Sequence, residues 1–163
     1  MKIVLNAPFA KTENDLTDTL FTFLSNSLRA SDITIVNNQS ELVAATSSPN
    51  TLLINGMSFA SDIPEAIDPN GNRIDIGIAF NNDASRPSDK IIKFVQKSFE
   101  GFGHYNISIN PPFIHNVSGT PNCQTLTIAI RRSIYLDEST RRMRPTAYKW
   151  NALLNNIYYG IVD

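Results

Sequence analysis

Leu126-Thr-Ile-Ala-Ile-Arg-Arg-Ser-Ile-Tyr-Leu-Asp-Glu138 decides how this chain folds. The stretch alternates and is rich in β-branched residues as far as Arg131, then breaks into the polar corner Asp137-Glu138-Ser139-Thr140. That is the pattern of a buried strand, Gln124 to Arg131, running out into a loop. Its neighbours Arg131 and Arg132 should point to opposite faces, because side chains alternate along a strand.

Outward from this strand, the rest of the chain alternates strand and helix signals. Residues 2–6 read as a first strand, Asp32 to Val36 as a second, and the apolar run Thr51-Leu-Leu-Ile-Asn55 as a central strand covered on both faces. Ile74 to Phe80 and Tyr105 to Ile109 supply two more. Leu16, Leu20, Phe23 and Leu24 recur at helical spacing and predict a helix over 14–29, and Ser40 can cap a short one over 41–45. Ser88 caps a helix whose apolar stripe is Ile91, Ile92, Phe94, Val95 and Phe99, with Gly101 as its stop. A last helix is predicted over 146–159, with Trp150, Leu153, Leu154, Ile157 and Tyr158 inward. Strands alternating with helices, and no linker or repeat, predict one α/β domain over 1–163, a three-layer sandwich with a mixed, largely parallel sheet.

Composition narrows the function classes. The 163 residues carry a net charge of -1 and 42% hydrophobic side chains, so a packed core is available and no global field attracts nucleic acid or an anionic membrane. Six of the fourteen basic residues lie within 131–149, a cluster better read as a solvated face than as a nucleic-acid surface. No apolar run reaches membrane-spanning length, and the first residues turn polar too soon for a signal peptide. Cys123 is the only cysteine, which excludes an internal disulfide and a cysteine-based zinc cluster. A cytoplasmic location is the expectation.

Several segments, in order, resemble the N-formylglutamate amidohydrolase family. The strand 126–138 is similar to the family's Leu-x-Ile-Glu-Ile-Asn-Arg-x-Leu-Tyr-Met-Asp-Glu signature, matching at Arg132, Tyr135, Asp137 and Glu138. Ile54-Asn-Gly-Met-Ser-Phe-Ala-Ser-Asp-Ile-Pro-Glu65 resembles its Asp-Cys-His-Ser-Phe-Pro-Ser block. Ile74 to Phe80 resembles its Asp-Ile-x-Leu-Gly strand. Gly103-His-Tyr-Asn-Ile-Ser-Ile-Asn-Pro-Pro-Phe113 resembles its Gly-Tyr strand and Asn-x-Pro-Tyr/Phe turn, and Lys2 to Ala10 its opening strand and Pro-His turn. The resemblance implies a zinc-exopeptidase-like fold and metal-dependent hydrolysis, which needs imidazole and carboxylate ligands with an open position plus a glutamate base. It also implies where these groups should sit. The two histidines fall at Phe9 and Met57, which carry no imidazole or metal-binding oxygen, and the glutamate falls at Ala129, which cannot move a proton.

The leading expectation is therefore a catalytically degenerate relative that binds a small carboxylate-bearing ligand or a protein partner and needs no cofactor. Its remnant anion pocket would use Arg132 and Ser58, with Asp75, Arg131 and His115 nearby. Ligands sit at the carboxyl ends of strands in such sheets, which predicts one rim made of Asn55–Ser58, Phe80–Asp83 and Arg131–Ser133. Asp75 has a blander role as the salt-bridge partner of Arg132 or Arg73, and Arg132 as the partner of Asp137, Glu138 or Asp75. One alternative is an active zinc amidohydrolase with relocated ligands, His115 with Asp75 or Asp62, and Asp83 or Glu138 as base. Another is a structural or assembly role, including a homo-oligomer, in which Phe9, Met57 and Ala129 fill the former cavity. His104, the other histidine, reads as an ordinary turn residue.

Overall fold

The computed structural model describes residues 1–8, 20, 27, 28, 30–121 and 123–163. Within that set, eight strands and three helices follow one another as β1 (Lys2–Asn6), β2 (Ile33–Ile35), α1 (Gln39–Thr46), β3 (Thr51–Phe59), β4 (Ile76–Ala79), α2 (Asp89–Glu100), β5 (Ile107–Ile109), β6 (Gln124–Arg131), β7 (Leu136–Asp137), β8 (Arg142–Met143) and α3 (Ala147–Val162). A 3₁₀ turn over Arg132–Ile134 joins β6 to β7. The helix expected over 14–29 falls almost wholly outside the described residues. Of those that are described there, Leu20 and Ser27 are helical, and Leu20 and Leu28 are buried.

Six strands form one sheet in the order β2-β1-β3-β6-β4-β5. Every neighbouring pair is parallel except β4 with β6, which is antiparallel. The mixed, mostly parallel α/β sheet expected from the sequence is therefore what forms. β3 continues to Phe59, past the expected end at Asn55, because β6 pairs with it as far as Phe59↔Arg131. β1 stops at Asn6↔Asn55, so among the described residues the second half of β3 has a strand partner on one side only.

Alternation divides the core between the two faces. Ile3, Leu5, Leu52, Ile54, Leu126, Ile128, Ile130, Ile76 and Ile78 lie on one face under α2 and α3. The amphipathic stripe of α2 is narrower than its sequence suggested: Ile92, Val95 and Phe99 are buried, but Phe94 is half exposed. Trp150 of α3, 1% exposed, anchors this layer against Phe102 and Tyr105 with ring centroids 4.8 and 5.0 Å away. Burying each such side chain stabilises the fold by about 1.5–3 kcal/mol. On the other face α1 covers Val4, Leu53 and Cys123, while the loops 60–74 and 111–117 cover the rest.

Caps set the helix starts. Ser88 Oγ accepts from the Ile91 amide at the head of α2, as expected. α1 begins two residues earlier than predicted, because Asn38 rather than Ser40 is its cap; Asn38 Oδ1 accepts from the Glu41 amide while the Glu41 carboxylate accepts from the Asn37 amide at 2.7 Å. Thr146 precedes α3 without a side-chain cap.

Candidate functional site

The three central strands bring together two of the three positions at which the resemblance places catalytic groups. Met57 lies opposite Ala129 in the β3–β6 register, and Gly77 lies opposite Ala129 on its other side. Phe9 lies outside the described residues. Ala129 is 0% exposed and belongs to an apolar cluster with Phe59, Ala66, Ile74, Ala79 and Ile114, against which Met57, Ile63 and Phe113 pack. The loop after β5 lies directly on this surface. A Cβ added at Gly77 would fall 2.1 Å from Ile114 Cδ1 and 3.1 Å from Pro111 Cγ, so the absence of a side chain there is what lets the loop descend. Phe113 meets Phe59 edge to face at 5.1 Å. Among the described residues, the thioether, methyl and ring carbons at this point offer no donor set for zinc and do not fit that ion.

Beside the apolar cluster runs a buried polar chain that sequence reasoning missed. Asn6 Nδ2 donates to Asn55 Oδ1 at 3.1 Å, and Asn55 Nδ2 donates to the Val117 carbonyl at 2.7 Å and to Thr127 Oγ1 at 3.4 Å. Thr127 Oγ1 in turn donates to Asn116 Oδ1 at 2.5 Å. Asn55 and Thr127 are both 0% exposed. The signal was present, since polar residues interrupt otherwise apolar strands at Asn55 and Thr127. Only the register Asn6↔Asn55↔Thr127 shows that they stand in one row.

The two arginines at the end of β6 do point to opposite faces. Arg131 pairs with Asp75, and the Asp75 carboxylate also accepts from the Asn106 amide at 2.8 Å. Asp75 thus serves Arg131 rather than Arg132 or Arg73. Arg132, 8% exposed, donates through Nε to Ser58 Oγ at 3.1 Å, and Ser58 is itself 6% exposed. The ion pairs expected of Arg132 with Asp75, Asp137 or Glu138 do not form, Asp75 being taken by Arg131. Glu138 accepts from both the amide and the hydroxyl of Ser61, which ties the turn after β7 to the loop after β3.

The single rim predicted for Asn55–Ser58, Phe80–Asp83 and Arg131–Ser133 does not form. β4 runs antiparallel to β6, so Ala79 stands opposite Thr127 while Arg131 donates its backbone amide to Asp75 at the other end of β4. Four residues of β6 separate these levels, roughly 13 Å of strand. Phe80–Asp83 therefore face the start of β6, where Ser85 accepts from the Thr125 amide.

The relocated-ligand alternative meets similar scatter. His115 and His104 are exposed, Asp62 is exposed, Asp75 is tied to Arg131, and Asp83 is held by Ser85. The Ser85 hydroxyl and amide hold the Asp83 carboxyl below the usual carboxylate range. Among the described residues no three of His, Cys, Asp and Glu stand together as a metal cluster. Burial pushes the Cys123 thiol up, so it stays protonated and makes a poor nucleophile.

A cleft of about 370 Å³ opens where β4 and β5 end, lined by Ala79, Phe80, Asn82, Asn110, Pro111 and Asn116 among others. The Arg86 guanidinium lies 5.1 Å from the centroid of the Phe80 ring and pairs with Asp89 at 2.7 Å. No helix among the described residues is long and apolar enough to cross a membrane.

Comparison with known proteins bears on the fold. No protein family and no curated protein sequence matches this chain. Among solved structures, it is similar to an N-formylglutamate amidohydrolase from Ralstonia eutropha JMP134, with a TM-score of 0.57 and 18% identity over 72% of this chain. A gene product of Agrobacterium tumefaciens, Atu2144, aligns over 76% of this chain with a TM-score of 0.45 and 17% identity. This chain spans 45% of the first protein's length and 49% of the second's. At that identity the Ralstonia structure shows a shared fold, the amidohydrolase-like α/β sheet with its layers of helices.

Proposed function

We propose that this chain is a non-catalytic binding protein built on an amidohydrolase-type fold. One observation carries the reading: Met57 and Ala129 stand side by side at the centre of the sheet, and Ile114 and Phe113 pack onto that surface with other apolar side chains. Metal-assisted hydrolysis of an N-acyl amino acid needs ligands that leave a metal coordination position open and a base that can take a proton from bound water. A thioether and a methyl group do neither. The likeness to the Ralstonia amidohydrolase supports a common scaffold, and the side chains at the centre support its use without that chemistry.

The reading is tested by purifying the chain without added metal, measuring its zinc content by elemental analysis, and assaying release of formate or acetate from N-formyl and N-acetyl amino acids. It expects no stoichiometric zinc and no turnover above buffer. Bound zinc at one per chain, or turnover abolished by His115→Ala, would replace it with the relocated-ligand enzyme. A purely structural role is the second reading, favoured by how completely apolar side chains cover Ala129. A stable oligomer in solution that no small ligand stabilises in a thermal-shift screen would select it.

A further inference from the structure

The buried amide chain and the cleft at the ends of β4 and β5 belong together. The hydrogen bonds run in one direction, from Asn6 to Asn55 to Thr127 to Asn116, and the Val117 carbonyl pins the orientation of Asn55 by taking one of its Nδ2 hydrogens. At the end of the chain Asn116 has spent its oxygen on Thr127, and its Nδ2 is buried with no acceptor. Asn116 is also part of the cleft wall. A buried amide without an acceptor is uncommon enough to call for a cause, and an unfilled ligand position is one.

Of the three other asparagines in the wall, Asn81, Asn82 and Asn110, the last two repeat the arrangement. Asn110 Oδ1 accepts from the Phe80 amide at 2.7 Å, and Asn82 Oδ1 accepts from Arg86 Nε at 3.3 Å. Asn110 also holds a left-handed backbone, φ 52°, which asparagine tolerates better than most residues. These three side chains have therefore committed their oxygen to the protein, which leaves the NH₂ groups of Asn82 and Asn110 available and that of Asn116 buried without an acceptor; Asn81, the fourth asparagine of the wall, makes no such commitment among the described residues. Both Asn82 and Asn110 are exposed, so their NH₂ groups are accessible from solvent, whereas that of Asn116 is closed off behind the wall. No acidic or basic residue lines the cleft among the described residues, and Phe80, Pro111 and Ile114 supply its apolar surface.

We propose that this cleft is a ligand site for small molecules that present trigonal oxygens, carboxylate or carboxamide, to the NH₂ groups of Asn82 and Asn110, with Asn116 as the inner donor reached when the ligand seats. The site lies at the other end of β4 from Arg131, and it selects acceptors without using a formal charge. This inference deepens the binding-protein reading and rests on it for its purpose. Its geometry does not depend on whether the centre of the sheet is catalytic.

The test uses glutarate, its uncharged diamide glutaramide, and 1,5-diaminopentane, which has the same chain length but is a cationic donor. Each is titrated into ¹⁵N-labelled full-length chain to about 10 mM, the weak range open to so small a ligand. Saturable shifts of the Asn82 and Asn110 side-chain NH₂ signals are expected with glutarate, and none with the diamine. A response to glutarate alone identifies a carboxylate site; a response to both acceptors extends it to carboxamides. Asn82→Asp and Asn110→Asp retain the oxygen that accepts from Arg86 or from Phe80 and replace the outward NH₂ with a second oxygen, so each should weaken glutarate at least tenfold while leaving the backbone spectrum in place. Asn82→Asp changes an exposed side chain and keeps the test open if Asn110→Asp does not fold. Equal response to the diamine, no saturable shift with either acceptor, or shifts confined to the Arg131 and Arg132 guanidinium signals would overturn the proposal. Zinc or turnover would overturn the non-catalytic reading alone, so the two failures are distinguishable.

Discussion

Placing an acid at the centre of the sheet tests whether that space is filled. Ala129→Glu places a carboxyl where the side chain is 0% exposed, between Met57 and Gly77 and within the cluster that contains Ile114 and Phe59. Two costs follow. Forcing the larger side chain into packed surroundings costs about 1–3 kcal/mol. The carboxyl also loses water without gaining a partner, since Arg131, two residues along the same face, is already held by Asp75. If burial raises its pKa by about 3 units, the added penalty above the raised pKa is about 4 kcal/mol. The sign follows from linkage: below the unfolded-state pKa, about 4.3, both states are protonated and only the packing cost remains, and the penalty then grows with pH until the folded-state pKa is passed. The variant should thus lose about 5–7 kcal/mol at pH 7.5 and about 1–3 kcal/mol at pH 4, against a typical total stability of about 5–15 kcal/mol. Urea denaturation followed by Trp150 fluorescence, with wild type measured at each pH, reads both values. A loss below about 0.5 kcal/mol at both pH values, the behaviour of a surface site, would mean that water reaches Ala129 and that the centre is an open cleft.

Three further outcomes follow from the same packing. Gly77→Ala should destabilise by about 1–2 kcal/mol in urea denaturation, because Ile114 Cδ1 and Pro111 must withdraw from the new methyl group while the stiffer unfolded chain returns part of the loss. Asp75→Ala leaves the half-buried Arg131 guanidinium without its carboxylate and should cost about 2–4 kcal/mol, whereas Arg131→Met with Asp75→Leu should recover part of it in a double-mutant cycle. Cys123, 8% exposed and with its thiol held protonated by burial, should react with a thiol reagent at pH 8 only on the timescale of opening, and at the free-thiol rate in urea; fast labelling of the folded chain would contradict its placement under α1.

Much of the sheet could be read from local pattern. Gln124–Arg131 came out with the bounds expected, and Ser88 marked the start of α2, because alternation and capping act over a few residues and leave a direct trace in sequence. Phe94 misled, since an apolar residue at helical spacing carries no information about whether a neighbour covers it. The pair Met57 and Ala129 was legible through the family resemblance. The amide chain was not, because Asn6, Asn55, Asn116 and Thr127 come from four separated segments whose meeting depends on strand order.

Taken alone, the sequence determined the kind of elements this chain forms, an apolar α/β core, and the apolar side chains that Met57 and Ala129 bring to its centre. Tertiary structure alone decided the antiparallel run of β4 against β6, which moved Phe80–Asp83 away from Arg131, and the seating of the 111–117 loop over Gly77. It also decided that the cleft at the sheet's end is walled by four asparagines, of which Asn82, Asn110 and Asn116 already have their oxygens engaged. The physical reason is range: propensity and periodicity are properties of neighbouring residues, whereas strand direction, register and the pairing of distant amides are settled by which arrangement of the whole chain buries the most apolar surface with its polar groups hydrogen-bonded.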